Sequence, residues 1–251
     1  MNAKETLKKI GRKITPAYIT KVALLTGIAY VLYVFAKFPL SFMFPTFLEM
    51  QFSELPAILA GFSLGPVAGV IVSVLRVVLK FHTNTGYVGE LTDIILGTLY
   101  VLPASIIYTL KKNKKNALIG LIVGTVVSTV AAMFLNRFVS VPFFLEVIFK
   151  GDFGLLIRTL SPLYPNLNEQ NFYAVYLFAG VLPFNILRLS LVSALTFLVY
   201  KRLSKALHWE FTKKATPATN SSGNGAESAE PTEPTTPAET EAATPTENEE
   251  P

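Results

Sequence analysis

The chain has no cysteine among its 251 residues, which excludes disulfides, thiolate metal sites and a cysteine nucleophile. Histidine is nearly as scarce. The two present, His82 and His208, fall on opposite sides of a membrane in the topology derived below, so they cannot share a metal ion, and a zinc hydrolase is excluded. A phosphate-cradling Gly-rich loop with a following Lys is missing, and no Ser and His coincide at one membrane depth, as intramembrane proteolysis requires. No catalytic role is expected. The N-terminus lacks the short apolar core and small-residue cleavage site of a secretory signal; Lys4 to Lys13 instead precede a long apolar run, so the first span is expected to be retained.

What the chain has in abundance is apolar surface. Hydrophobic residues make up 51% and mean hydropathy is +0.45, more than an ordinary soluble domain carries. The reading is an all-α membrane protein with six transmembrane helices. Span one is expected at about residues 18–38, a short pair at about 52–64 and 66–81, span four at about 90–110 and span five at about 117–138. Span six ends near Tyr200; it begins near Phe172 if Pro183 only kinks it, or near Leu182 if Pro183 occupies the first turn.

Charge orients these spans. Lys4, Lys8, Lys9, Arg12 and Lys13 precede span one; Lys111, Lys112, Lys114 and Lys115 lie between spans four and five; Lys201, Arg202 and Lys205 follow span six. By the positive-inside rule all three clusters, and therefore both termini, are cytoplasmic. The loops 39–51 and 82–89 and the connection 139–171 are left outside, so a ligand is expected to enter from that face. Residues 216–251 hold no aromatic or large aliphatic side chain and cannot bury enough apolar surface to offset their ordering entropy. They read as a disordered, acidic, cytoplasmic tail. Setting aside its 8 Glu leaves 9 acids against 22 Lys+Arg, a net +13, which anionic lipid headgroups explain without any nucleic acid. The organisation expected is a basic N-terminus at 1–16, a membrane domain at 17–205, a basic juxtamembrane segment at 206–215 and the tail at 216–251.

Between Phe44 and Gly69 a polar loop meets two short apolar arms hinged at Gly65-Pro66. Neither arm matches the roughly 20 residues of an ordinary span, and interrupted segments survive at membrane depth only when buried in protein or lining a cavity. The alternative is that Gly61, Gly65 and Gly69 merely let helices approach closely. Glu54, Arg76, Lys80, Glu90, Asp93, Asn136, Arg137, Asn185 and Arg188 lie inside or at the outer ends of apolar helices, where polar groups are expensive and are functional candidates by default. Lys80 and Arg137, near helix ends, are expected to snorkel to the interface. Asn185 and Arg188, three apart on one helical face, offer a polar planar ligand matched donors and acceptors.

Phe44-Pro, Ser53-Glu-Leu-Pro-Ala, Gly61-Phe-Ser-Leu-Gly-Pro-Val-Ala-Gly, Gly86-Tyr-Val-Gly-Glu-Leu, Leu102-Pro-Ala, Gly120-Leu-Ile-Val-Gly-Thr, Leu135-Asn and Pro183-Phe-Asn-Ile-Leu-Arg, in this order and spacing, resemble the S component of energy-coupling-factor (ECF) vitamin transporters, riboflavin type, over about residues 17–205. The resemblance implies a high-affinity substrate-binding subunit of an ABC importer in the cell membrane, taking up riboflavin or a related flavin such as FMN or roseoflavin under the first outer loop. It implies no cofactor, and as partners a transmembrane coupling subunit (EcfT) and two ATPase subunits (EcfA and EcfA′) that use the ATP. Carried onto this sequence, the flavin contacts are Asn136, Asn185, Arg188 and the loop residues Phe47 and Leu48. Ala23-Leu-Leu-Thr-Gly27, a small-xxx-small face, matches the partner-binding motif. Where riboflavin-type members usually show Asp-x-Ser-Asp, a Lys-Asn pair, Asn after Gly-Glu-Leu-Ala, and Lys three residues after the Asn of Pro-Phe-Asn, this chain has Gln51, Glu54, Arg76-Val77, Asp93 and Arg188. The competing readings are an S component for another vitamin and a six-span scaffold that recruits cytoplasmic partners.

Overall fold

A computed structural model of the protein describes residues 15–80 and 87–212, with side chains through Tyr200. The basic N-terminal cluster, the loop carrying His82 and the tail from 216 lie outside the described residues, as do the side chains of Lys201, Arg202, Lys205 and His208.

Helix α1 (Pro16–Phe35) starts where the Thr15 side chain accepts from the Tyr18 N–H at 3.2 Å and Pro16 occupies the first turn, a position that needs no N–H donor. It stops short of residue 38. Pro39 holds Phe38 extended, and Lys37–Pro39 (β1) pairs antiparallel with Glu49–Gln51 (β2), Lys37 opposite Gln51. The purely helical expectation is therefore corrected by a short hairpin over one end of the bundle.

Two short helices follow, α2 (Glu54–Leu64) and α3 (Pro66–Val78), of 11 and 13 residues; at about 1.5 Å per residue each is shorter than a hydrocarbon core of about 30 Å. The hinge between them is Gly65, whose φ of 108° is open to glycine and strained for side chains. The arms fold back closely enough that a Cβ on Gly69 would lie 2.9 Å from the Gly61 Cα. Close packing and cavity formation thus both hold, at different residues of this one segment.

Helix α4 (Val88–Leu110) and helix α5 (Lys114–Leu135) form the most extensive helix pair. Gly120 and Gly124 make the approach possible, since a Cβ there would meet the Ala104 and Tyr100 carbonyl oxygens at 2.6 and 2.4 Å. Past Leu135 the helix widens into a π turn (Asn136–Ser140) and continues as α6 (Val141–Val147). The connection 139–171 thus holds two short helices, α6 and α7 (Phe153–Leu160), the latter capped by Asp152. Helix α8 (Phe172–Val175) enters a second π turn (Tyr176–Val181) and then α9 (Leu182–Thr212). Pro183 therefore sits within one continuous helical run, and the longer of the two readings for span six is the observed one.

Among the described residues four helical runs are long and apolar enough to cross a membrane: Pro16–Phe35, Val88–Leu110, Lys114–Val147 and Phe172–Tyr200. At the C-terminal end of α2, Phe62 stacks on Tyr108 with centroids 4.5 Å apart, and the Tyr108 and Tyr200 hydroxyls lie 2.7 Å apart. These contacts tie α2, α4 and α9 together far from the hairpin. The opposite end of the bundle is left to form the site.

Candidate functional site

Under the hairpin lies a cavity of about 260 Å³, near the lower end of the usual range for small-molecule sites. Phe47, Leu48, Asn136, Asn185 and Arg188, drawn from the hairpin loop and two helical runs, all line it. One wall is apolar. Phe47 packs 5.8 Å from Phe144 and 6.1 Å from Tyr176, while Phe184, held edge-on by Phe44 at 5.3 Å, and Leu96 continue the surface. Such a wall suits the face of a planar aromatic ligand.

The two asparagines are fixed by the π turns. Asn136 opens the first, donating from Nδ2 to the Ala132 carbonyl at 2.9 Å and accepting the Tyr176 hydroxyl on Oδ1 at 2.9 Å. Asn185 donates from Nδ2 to the carbonyl of Val181, the last residue of the second, at 2.9 Å. Among the described residues the Asn185 Oδ1 takes no partner, so it is available as an acceptor. Local widening of a helix is a recurrent way to re-aim side chains at functional sites. Here both turns lie at the height of the cavity.

Beside the asparagines is a buried ion cluster. Glu54, 1% exposed, lies 3.6 Å from Arg76 and 3.4 Å from Arg188, which are 0% and 4% exposed. Arg76 also donates to the Ser53 hydroxyl. Two cations thus share one anion. Neither Glu54 oxygen nor the Arg188 Nε has a hydrogen bond among the described residues, a costly arrangement in a low-dielectric interior unless the cluster serves a ligand or water.

The outer part of the cavity is polar and better satisfied. Lys37 pairs with Glu49 at 2.6 Å across the hairpin and Lys80 with Glu90 at 2.9 Å. Asp93 accepts from the Tyr33 hydroxyl at 2.9 Å and from Gln51 Nε2 at 3.1 Å. Lys80 and Arg76 lie 5.2 and 5.4 Å from the centroid of the Tyr33 ring, within range of cation–π attraction. The snorkelling expected of Lys80 is therefore corrected: Glu90 and Tyr33 draw it inward and it lines the cavity. Arg137 lies outside the cavity against the Tyr173 ring, 3.4 Å from its centroid.

Tyr33, Lys37, Glu49 and Phe144 also line the cavity and are not among the candidates that the sequence offers. Tyr33 resembles an interfacial aromatic at a helix end, and the other three depend on how the loops fold. Gly61-x-Ser63-x-Gly65 has the spacing of a hydrolase nucleophile elbow, which corrects the expectation that the chain holds none. Its context differs: Ser63 lies in the last turn of α2 and donates to the Leu59 carbonyl of its own helix at 2.6 Å. Ala23 and Gly27 lie on the exposed face of α1, and a Cβ on Gly27 would meet nothing within 4 Å. That face is open to a partner.

The family described as ECF transporter, substrate-specific component, matches residues 17–200. The riboflavin transporter RibU of Staphylococcus aureus (strain TCH60) is 34% identical over 187 residues, covering 74% of this chain and 89% of that protein. The riboflavin transporter FmnP of Bacillus subtilis (strain 168) is 26% identical over 186 residues, 72% of this chain and 89% of that one. A solved structure described as the S component of a bacterial ECF transporter superimposes with a TM-score of 0.58 at 33% identity, over 76% of this chain and 97% of its own.

Proposed function

We propose, from the premise that this chain belongs to the substrate-specific components of ECF transporters, that it is the riboflavin-binding subunit of such an importer and holds the vitamin in the cavity beneath the hairpin. It is a transport component, not an enzyme. The observation that carries the reading is the convergence of Phe47, Leu48, Asn136, Asn185 and Arg188 on one cavity. A scaffold has no need of it. The isoalloxazine ring is apolar on its faces and polar along its carbonyl edge. Phe47, Leu48 and Phe184 suit the faces, and the amide of Asn185 with the guanidinium of Arg188 suits the edge. The hydroxylated side chain then points to the polar groups around Asp93 and Gln51.

In this reading α2 and α3 bring the crossings to six, both termini are cytoplasmic, and riboflavin enters from the outer face of the cell membrane. The partners are a transmembrane coupling subunit and two ATPases, and the Ala23–Gly27 face of α1 is where the coupling subunit docks. The exposure of both residues supports that assignment.

Purified protein is expected to quench riboflavin fluorescence at near-stoichiometric ratios. Colourless protein with no quenching overturns the reading. Ala23→Leu and Gly27→Leu should leave quenching at the wild-type level and abolish uptake in cells that carry the coupling module, because bulk on that face blocks close helix approach. Parallel loss of quenching in these variants would assign the face to internal packing.

A further inference from the structure

We propose that Asp93 makes the cavity selective for unphosphorylated flavin, acting as the residue that rejects the phosphate of FMN. The inference rests on the flavin reading of the cavity. It starts from the charges that face the site. Three cations line it, Lys37, Lys80 and Arg188, and Arg76 lies behind them; each of the four is within 4 Å of a carboxylate, Arg76 and Arg188 on Glu54, Lys80 on Glu90 and Lys37 on Glu49. Asp93 is the carboxylate left over. Its two oxygens accept only from neutral donors, the Tyr33 hydroxyl and the Gln51 amide, and no Lys or Arg stands within salt-bridge distance of it among the described residues.

The ring-binding groups and Asp93 enter the cavity from different elements. Asn185 and Arg188 come from the start of α9, next to the aromatic wall, whereas Asp93 is in the second turn of α4 beside the hairpin residue Gln51. A flavin with its carbonyl edge on Arg188 directs its polyol toward Asp93. Carboxylate oxygens accept from hydroxyl donors, so the polyol is favoured there. A terminal phosphate brings about −1.5 to −2 charge at pH 7 and only acceptor oxygens. It would face a carboxylate that has no cation within salt-bridge distance, and each cation lining the cavity is already held by another carboxylate. Rejection by an unpaired like charge is a general source of specificity, and at a few ångströms in a partly buried site it is large enough to decide between ligands.

The test is a pair of titrations, riboflavin and FMN, on wild-type and Asp93→Asn proteins. Wild type is expected to bind riboflavin at least about tenfold more tightly than FMN. Asparagine keeps the shape and an acceptor oxygen but removes the charge, so the ratio should fall several-fold toward unity, with Asp93→Glu restoring the discrimination. A purely structural role for Asp93 would weaken both ligands equally and leave the ratio unchanged. That outcome, or equal binding of the two ligands by wild type, overturns the inference while leaving the flavin reading intact. Failure of wild type to bind riboflavin at all overturns the flavin reading, and this inference with it. If the Asn protein does not fold, Asp93→Ser carries the same comparison.

Discussion

Replacing Glu54 by Ala is expected to destabilise the protein by about 3–5 kcal/mol, the range for removing one partner from a buried ion cluster. The reason lies in the charge balance at the start of α2. Glu54 is 1% exposed and is the carboxylate lying between Arg76 and Arg188; without it two guanidinium groups face each other in a site from which water is largely excluded. Both arginines are themselves buried and cannot swing to the interface. Thermal unfolding in detergent reads the effect directly. Glu54→Gln keeps the volume but not the charge, and should recover only a minor part of the loss. Combining Glu54→Ala with Arg188→Met should be less damaging than the sum of the two single changes, because the second removes the cation that the first strands. A Glu54→Ala protein that melts at the wild-type temperature would mean that the two arginines are neutralised by something other than Glu54.

Arg188→Ala is expected to spare the fold and weaken flavin binding by about 1.5–3 kcal/mol, roughly ten- to a hundredfold. The two predictions differ because Arg188 is the surplus cation. After its removal Glu54 still has Arg76 at 3.6 Å, a one-to-one pair, so no buried charge of the cluster is stranded. The ligand is not spared: a carbonyl edge that took a charge-assisted hydrogen bond is left beside Asn185 alone. Arg188→Lys should cost less, since the charge persists, but should not be silent, because the ammonium lacks the planar fork that can reach Glu54 and the ligand at once. Riboflavin titration of folded wild-type, Ala and Lys proteins checks this. An Ala variant with wild-type affinity would remove Arg188 from the site. It would leave the role of Glu54 standing.

Both predictions concern residues visible in the sequence as polar groups in apolar helices, yet their relationship was not visible there. Glu54, Arg76 and Arg188 come from α2, α3 and α9, and nothing in their spacing says that two cations meet one anion. Lys80 is the clearer case. Its place near a helix end fits snorkelling as well as pairing, and the choice was made by Glu90, ten residues on across a loop, and by the Tyr33 ring from α1.

Features that depend on local chemistry and on the solvent are legible in the residues alone. Apolar runs fixed the helices, because in lipid the backbone must satisfy its own hydrogen bonds, and Gly65-Pro66 fixed the hinge between α2 and α3. The order of short motifs carried the family, and Asn185 with Arg188 marked one wall of the cavity through helical periodicity alone. Only the tertiary structure decided the rest. The hairpin pairs Lys37 with Gln51 across a loop of irregular composition, and the π turns at Asn136–Ser140 and Tyr176–Val181 leave no periodic signature by which to find them. Asp93 became the unpaired carboxylate because every cation near it was already claimed by a carboxylate from another position in the chain. Charge pairing inside a membrane protein is a competition among all the groups brought together by folding, and a sequence records the competitors without recording who stands beside whom.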